Sequence, residues 1–335
     1  MKKLKFLLFL LPVIIFTNAY CDEEKEVSKT FGAKDIVKIK LLSGDCIIKK
    51  GGANEISVHL LYTYSDDCFE YIFDEGDNKL TIEEEFHGRN CQGKSKWTIS
   101  LPENTEIHFV STSGDLEIAD NVNMVSATLT SGDIEIKNCE GEVSLTSTSG
   151  DVEFEDLSGK ITIVSTSGDI EGGTLDGFCS FVATSGDIET DNMSGTLSYV
   201  CTSGEIEIEN ITGIIRAVCT SGNVSASGIV TEDESSFIST SGDVEVVLEK
   251  STNYDLSLIA TSGDVILDYN GNEIKGTFEF IARVDKGEII SPFAFDSEEI
   301  FTKNGKEFYR KIFSRGGDTP KITLETYSGY VKLVK

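Results

Sequence analysis

The chain has 335 residues and a formal net charge of −28, with 57 acidic side chains against 29 Lys and Arg. A surface this negative repels phosphate, which argues against a protein that binds nucleic acids or anionic membranes. Because 39% of the residues are hydrophobic, a largely disordered chain is also excluded. Three His and no cluster of His with Cys leave little material for a transition-metal site.

The first 19 residues have the pattern of a secretory signal peptide. Three Lys precede an apolar stretch over residues 6–16, and Ala19 provides the small residue at the cleavage position. An apolar stretch of 11 residues cannot span a bilayer, which takes about 20. We therefore expect an exported protein, in the periplasm, on the outer surface or secreted, with a mature net charge of −31. The alternative is a lipoprotein anchored through Cys21, although Tyr20 is larger than the residue usual before a lipidated Cys.

Residues 111–264 repeat with a period that decides the fold. Ser-Gly, followed in most units by Asp, recurs at one constant interval and then at two slightly longer ones, with its glycines at Gly114, Gly132, Gly150, Gly168, Gly186, Gly204, Gly222, Gly242 and Gly263. Between these corners apolar and polar residues alternate, which predicts strands. A fixed period with apolar columns in register predicts stacked, equivalent coils. We therefore predict an all-β protein, a β-solenoid with two short strands per 18-residue coil. The alternatives are a β-sandwich or a propeller. A propeller blade needs about 40 residues, more than one repeat provides.

Two flanking segments differ from the repeat and are expected to close the ends of the rod, because end coils otherwise expose an unpaired edge. Residues 30–110 contain a first Ser-Gly-Asp corner, longer alternating strands and Trp97, and we predict that they form an N-terminal β cap. Residues 265–335 are rich in Phe and end in a last coil, which predicts a C-terminal cap. These aromatic residues are interpreted as cap core, with an exposed binding patch as the alternative.

Six of the eight cysteines fall into two groups. Export permits disulfides, and Cys68 with Cys91 flanks a predicted hairpin, so this pair is the best disulfide candidate. Four later ones occupy interior columns and are interpreted as small buried hydrophobic residues: Cys139, Cys179, Cys201 and Cys219. A disulfide between the last two, one coil apart, is allowed by spacing but disfavoured by their parallel side chains.

The negative charge is concentrated in the repeat, where residues 111–264 hold 28 acidic and four basic side chains. The acidic residues form outward columns: Asp115, Asp133, Asp151, Asp169 and Asp187 at the corner, and Glu117, Glu135 and Glu153 on the following strand. Like charges stacked about 4.8 Å apart repel by about 0.9 kcal/mol in water. In one interpretation the corner Asp accept backbone hydrogen bonds and the Glu are solvated. In the other, neighbouring carboxylates share Ca²⁺.

The repeated Thr-Ser-Gly-Asp units resemble the DUF4097 family of bacterial proteins. The resemblance also includes the opening Val37-Lys38-Ile39 with Ser43-Gly44-Asp45, and the segment Trp97-Thr98-Ile99-Ser100-Leu101-Pro102. It extends over residues 35–335. It implies a β-solenoid fold and the role of a putative adhesin, the description given to this family, and it brings no catalytic residues with it.

The sequence contains no nucleophile elbow, metalloprotease helix or Walker loop. Acidic residues repeated in every coil mark no unique acid–base pair. We therefore expect a non-catalytic surface, adhesion or scaffold protein. Its partner would be a protein or glycan at the cell surface, contacted by the acidic columns or by the aromatic cap. A Ca²⁺-stabilised rod and a carbohydrate-active enzyme are the alternatives, and no cofactor besides Ca²⁺ is predicted.

Overall fold

The computed structural model describes residues 24–88, 91–120 and 122–335, so the predicted signal peptide and Cys21 lie outside it. The described chain is all-β and forms a β-solenoid of about nine turns with a spacing of about 18 residues, as predicted. Across these residues no helix is long and apolar enough to cross a membrane.

The N-terminal end of the rod is closed by strands whose order in space differs from their order in the sequence. These strands are β1 (Lys25–Gly32), β2 (Ile36–Leu41), β3 (Asp45–Lys50), β4 (Glu55–Tyr62), β5 (Phe69–Glu75), β6 (Lys79–Phe86) and β7 (Ser95–Leu101). β6 and β7 form the outermost parallel layer and pair with β2 and β3, which follow as the second layer. β4 and β1 continue one sheet antiparallel beyond β7, and β5 continues the other beyond β6. The rod therefore ends in antiparallel strands.

The regular coils contribute one strand to each of two parallel sheets. The strands are β8 (Glu106–Ser113), β9 (Leu116–Ala119), β10 (Val122–Ser131), β11 (Ile134–Ser149), β12 (Val152–Ser165), β13 (Ile170–Ser185), β14 (Ile188–Ser203), β15 (Ile206–Glu209), β16 (Thr212–Ser221), β17 (Val224–Thr231), β18 (Ser235–Ser241), β19 (Val244–Leu248), β20 (Leu256–Ser262) and β21 (Val265–Asp268).

Two sheets run along the rod. In β11 to β14 the two strands of a coil merge into one bent strand, so each of these strands belongs to both sheets. Sheet A contains β9, the first halves of β11 to β14, and β15, β17, β19 and β21. Sheet B contains β8, β10, the second halves of β11 to β14, and β16, β18 and β20. Facing apolar columns of the two sheets fill the space between them.

The corner glycines are required mainly by the contact between coils. Gly132 has a φ of 128°, in the left-handed region, whereas Gly150 and Gly168 are not among the residues with positive φ. A Cβ on Gly150 would nevertheless lie 2.1 Å from the carbonyl oxygen of Gly132, and one on Gly168 would lie 2.2 Å from that of Gly150. Only glycine therefore lets successive corners stack, whatever the local backbone conformation.

The second corner uses left-handed residues that are not glycine. Its positive-φ residues other than glycine lie six places after the corner glycine and have φ between 53° and 56°: Asp120, Asn138, Asp156, Thr174, Asn192 and Asn210. Asp and Asn tolerate this conformation, but a β-branched Thr is a steric outlier there.

In the core, a large side chain in one coil is matched by a small residue in the next. Phe154, Phe181 and Tyr199 stack inside the rod, with successive ring centroids 5.4 and 5.3 Å apart. Gly172 occupies the column of Phe154 in the next coil. A Cβ there would lie 2.4 Å from the Phe154 carbonyl oxygen and 2.6 Å from its ring. The large ring therefore needs the small neighbour.

The C-terminal end also departs from chain order. Its strands are β22 (Gly276–Arg283), β23 (Gly287–Ile290), β24 (Ser297–Lys303), β25 (Lys306–Arg315), β26 (Lys321–Thr326) and β27 (Gly329–Val334). β26 and β27 pair with β20 and β21 on one side and with β22 and β23 on the other. The last coil of the sequence is therefore the penultimate parallel layer in space, covered by β22 and by the antiparallel β25 and β24. Phe278, Phe308 and Phe313 are buried in this cap.

Candidate functional site

The corner aspartates form a hydrogen-bonded ladder along one edge of sheet A. The backbone N–H of Asp133 donates to Oδ1 of Asp115 at 3.0 Å, and that of Asp151 donates to Oδ1 of Asp133 at 2.9 Å. The same bond joins Asp169 to Asp151 at 2.9 Å and Asp187 to Asp169 at 2.8 Å. One carboxylate oxygen of each of these Asp therefore satisfies a backbone donor of the next coil.

The ladder extends beyond the regular repeat at both ends. Asp45 Oδ1 accepts the N–H of Asp115 at 3.2 Å, and Asp264 Oδ1 accepts that of Tyr330 at 2.9 Å. It thereby joins the N-terminal cap to the first coil and coil 256–268 to the last coil of the sequence. Backbone hydrogen bonds of this kind are what we expect if the corner Asp act as turn residues and do not bind Ca²⁺.

The glutamates behave differently, since they stack side by side on the outward face of sheet A. The register places six of them in one column: Glu117, Glu135, Glu153, Glu171, Glu189 and Glu207. Burial, and then the charges of Glu189 and Glu153, raise the pKa of Glu171 above its ordinary value. We call this surface, made of the corner Asp and the Glu column, the acidic face.

Several shallow grooves lie on the acidic face, and two of them are lined mostly by its acidic columns. The first has a volume of about 350 Å³ and brings together Asp115, Glu117, Asp133, Glu135 and Glu153, with Lys96 at its N-terminal end. The second, of about 270 Å³, lies farther along the rod and is lined by Glu205, Glu207, Asp243 and Glu245. The structure thus brings part of the predicted site into one groove, while Asp151, Asp169 and Asp187 continue along the edge beyond it. The face can make repeated contacts with cationic groups.

A buried carboxylate in the N-terminal cap was missed by sequence reasoning. Glu84 accepts hydrogen bonds from the Ser95 hydroxyl at 2.5 Å and from the Trp97 indole N–H at 2.7 Å. It also accepts the backbone N–H groups of Leu42 at 2.9 Å and Ser43 at 3.1 Å. The side chain thereby holds the first Ser-Gly corner against β7. In sequence it is one of three consecutive Glu, and the signal that could have found it is its inward parity with Leu80 and Ile82.

The cysteine pair of the N-terminal cap is joined. Cys68 and Cys91 form a disulfide with their Cα atoms 5.7 Å apart. Nearby on the cap surface, His87 contacts Glu70 at 3.1 Å, and Glu85 lies opposite Glu70 across the β5–β6 pair. The remaining described cysteines are buried thiols: Cys46, Cys139, Cys179, Cys201 and Cys219. Burial raises the pKa of Cys201 to about 12, so it is a poor nucleophile at neutral pH.

Solved structures resemble the chain weakly. A putative cell adhesion protein from Clostridium sporogenes ATCC 15579 is 9% identical with a TM-score of 0.21, and the match covers 93% of this chain and 99% of that one. A putative lipid binding protein from Parabacteroides distasonis ATCC 8503 is 12% identical with a TM-score of 0.37, over 92% and 96% of the two chains. A putative adhesin from the same organism is 13% identical with a TM-score of 0.29, over 93% and 98%. Scores this low carry no functional conclusion, and no curated protein matches.

The family is defined by sequence instead. The Toastrack DUF4097 profile matches residues 34–199 and again residues 177–284. Together these matches cover most of the chain, including the first Ser-Gly-Asp corner and the regular coils whose stacking is described above. The chain therefore belongs to the DUF4097 (Toastrack) family.

Proposed function

We propose that the protein is an exported, non-catalytic rod that serves as an adhesin-like or scaffold module at the cell surface and contacts its partner through the acidic face. The observation that carries this proposal is the Glu column, in which six successive coils present the same carboxylate in register. Such an array offers many weak, equivalent contacts that add up on one partner. The complementary partner carries a row of cationic groups, as a basic protein or an amino-bearing glycan does.

The same repetition argues against an enzyme. A glycosidase needs two carboxylates at a defined separation, with environments that push their pKa values apart. The Glu column instead offers the same pair in every coil. A glycan array combined with a reducing-sugar assay tests this point: we expect binding without product, and steady release of reducing ends would show catalysis.

Export is tested by mass spectrometry of the mature protein. We expect an N-terminus at Tyr20 or a lipidated Cys21, together with digestion of the rod by protease added to intact cells or to periplasmic extracts. A protein that retains Met1 and stays in the cytoplasm contradicts the proposal. The mass also separates the soluble protein from the lipoprotein.

The contact surface is tested with two matched triple variants. One neutralises the Glu column with Glu153→Gln, Glu171→Gln and Glu189→Gln, and the other removes three exposed charges elsewhere with Glu232→Gln, Glu234→Gln and Glu249→Gln. We expect the first to lower attachment to cell envelopes at least tenfold and the second to change it little. Equal effects of the two would mean that net charge, and not the acidic face, governs attachment.

A Ca²⁺-stabilised rod is the second candidate, favoured by the raised pKa of Glu171 between Glu153 and Glu189. A divalent cation on this column would relieve the repulsion, and carboxylate oxygens are its preferred ligands. The melting temperature should then rise with millimolar Ca²⁺ but not with NaCl of matched ionic strength. An identical shift in both salts, or the same Ca²⁺ response in the neutralised triple variant, excludes this function.

A further inference from the structure

The outward surface of sheet B has the opposite character to the acidic face. In the half of each strand nearest the Ser-Gly corner, eight consecutive strands present three outward columns of residues, and we call this surface the neutral face. A further outward column on its far side contains Glu142, Lys160 and Phe178. The first column is Ser126, Ser144, Thr162, Ser180, Ser198, Arg216, Ser236 and Ser257; the middle column is Thr128, Thr146, Val164, Val182, Val200, Val218, Ile238 and Ile259; the third is Thr130, Thr148, Thr166, Thr184, Thr202, Thr220, Thr240 and Thr261. Arg216 is the one charged residue among them. In a chain of net charge −28 this surface is nearly uncharged.

The middle column is an aliphatic stripe along the rod. Six successive coils place a β-branched apolar side chain there, from Val164 to Ile259, and Val200 near its centre is 37% exposed. Phe178, on the strand that carries Val182, is 69% exposed and lies two outward positions from the stripe, beyond Ser180. Apolar residues gathered into a stripe and rimmed by Ser and Thr have the arrangement of an interface, with an apolar centre and a polar rim.

The charge distribution limits what can cover this stripe. The carboxylate columns lie on sheet A, on the opposite side of the rod. If two rods pack through sheet B, four sheets stack about 10 Å apart, so the two acidic faces are separated by about 30 Å. That distance exceeds the Debye length of about 8 Å at physiological ionic strength. The neutral face is therefore a side on which two copies can meet without strong repulsion.

Spacing favours a second copy over an unrelated partner. The stripe repeats at the strand spacing of about 4.8 Å, and another stripe of the same pitch can interdigitate with it along its length. Eight strands of five residues cover roughly 650 Å², so two such faces would bury about 1,300 Å². This area lies within the range of specific interfaces, near its lower end.

We propose that the neutral face is a self-association surface through which two copies of the chain pack back to back, with the aliphatic stripe at the centre of the contact and Phe178 at its rim. The dimer presents its two acidic faces outward, on opposite sides. Because the surface is self-complementary, the arrangement closes as a two-fold dimer.

Sedimentation velocity of the full protein as the cell produces it, over about 1–100 μM, tests the proposal. We expect a monomer–dimer equilibrium that strengthens as NaCl rises from about 0.02 M to about 0.2 M, because salt screens the remaining repulsion. Val200→Glu places a charge in the stripe and should weaken dimerisation at least tenfold. Ser225→Glu adds the same charge to the outward surface of sheet A, where Ser225 is exposed, and should leave the dimer intact.

A second pair of variants guards against misfolding. Thr already occupies the middle column at Thr128 and Thr146, so Val182→Thr with Val200→Thr is compatible with the fold and should weaken the dimer several-fold. Phe178→Ser should do the same. A wild-type protein that stays monomeric throughout, or variants of the stripe that dimerise as well as wild type, would overturn the proposal. So would a dimer that Ser225→Glu dissociates as readily as Val200→Glu.

Discussion

Glu84 is 4% exposed, and its carboxylate accepts two backbone and two side-chain hydrogen bonds in the N-terminal cap. Glu84→Gln replaces one acceptor oxygen with an NH₂ group that faces donors, and we expect it to lower the free energy of unfolding by about 2–3 kcal/mol. Urea unfolding measures the change. The exposed neighbour Glu85→Gln is the control and should cost about 0.5 kcal/mol or less. Equal losses would show that the buried network contributes nothing special.

Thr174 is the β-branched member of the left-handed second corner, with a φ of 53°. Replacing it with Asn, which occupies the equivalent place at Asn138 and Asn192, should stabilise the protein by about 1 kcal/mol. Thr196→Asn, on an ordinary strand, should be neutral or slightly destabilising, because Asn is a poor strand residue. The comparison is read from thermal melts of the two variants. A loss of stability at position 174 would mean that the Thr side chain makes a compensating contact.

The coil is the element in which large and small core residues must match. Gly172→Ala puts a Cβ within 2.4 Å of a Phe154 backbone atom, so we expect a loss of about 1–3 kcal/mol from overpacking. Gly32→Ala is the control, since a Cβ there has open space around it. Adding Phe154→Leu to Gly172→Ala should recover part of the loss, and strictly additive losses in a double-mutant cycle would contradict the coupling.

Most features of the regular coil could be predicted from the sequence. The constant period, the inward columns and the outward acidic columns could be predicted because every coil repeats the same constraint. The left-handed Asn and Asp of the second corner also recur at fixed spacing and could have been found. The close approach of the corner glycines could not be predicted from the sequence. A positive φ explains a Ser-Gly corner equally well, and only the positions of the neighbouring coils show that a Cβ would clash.

Glu171, in the middle of the acidic face, makes the stability of the molecule depend on pH. Because the folded-state pKa of Glu171 is raised above the ordinary 4.5, the folded protein binds a proton more readily there than the unfolded chain. Stability should therefore rise as pH falls through the raised value towards 4.5. Glu171→Gln should raise the melting temperature at pH 7, and its advantage should shrink as the pH approaches 4.5. Glu140→Gln, which removes one charge outside the column, is the control; an advantage that does not change with pH would contradict the prediction.

At the scale of the molecule, sequence reasoning placed the caps at both ends but not the order of their layers. Coil 36–50 lies inside coil 79–101, and coil 321–334 lies inside strands 276–290. Both arrangements depend on pairing between distant segments, whose alternation patterns fit several neighbours equally well. The neutral face was overlooked for a related reason: its Val and Ile have the outward parity of Ser and Thr, and only the assembled sheet shows them as one stripe.

The inverted C-terminal order has a consequence for biogenesis. A polypeptide that is synthesised from its N-terminus can add regular coils one after another, each on a template already in place. Closure of the C-terminal end is different, because the parallel neighbour of β22 is β26. β26 is synthesised only after β23, β24 and β25, so β22 cannot form its parallel pairing when it is made. Until β26 and β27 arrive, Leu258 and Leu267 of the preceding coil lack the layer that covers them. β26 and β27 must therefore join the rod before β22 and β23 can pair with them and close this end.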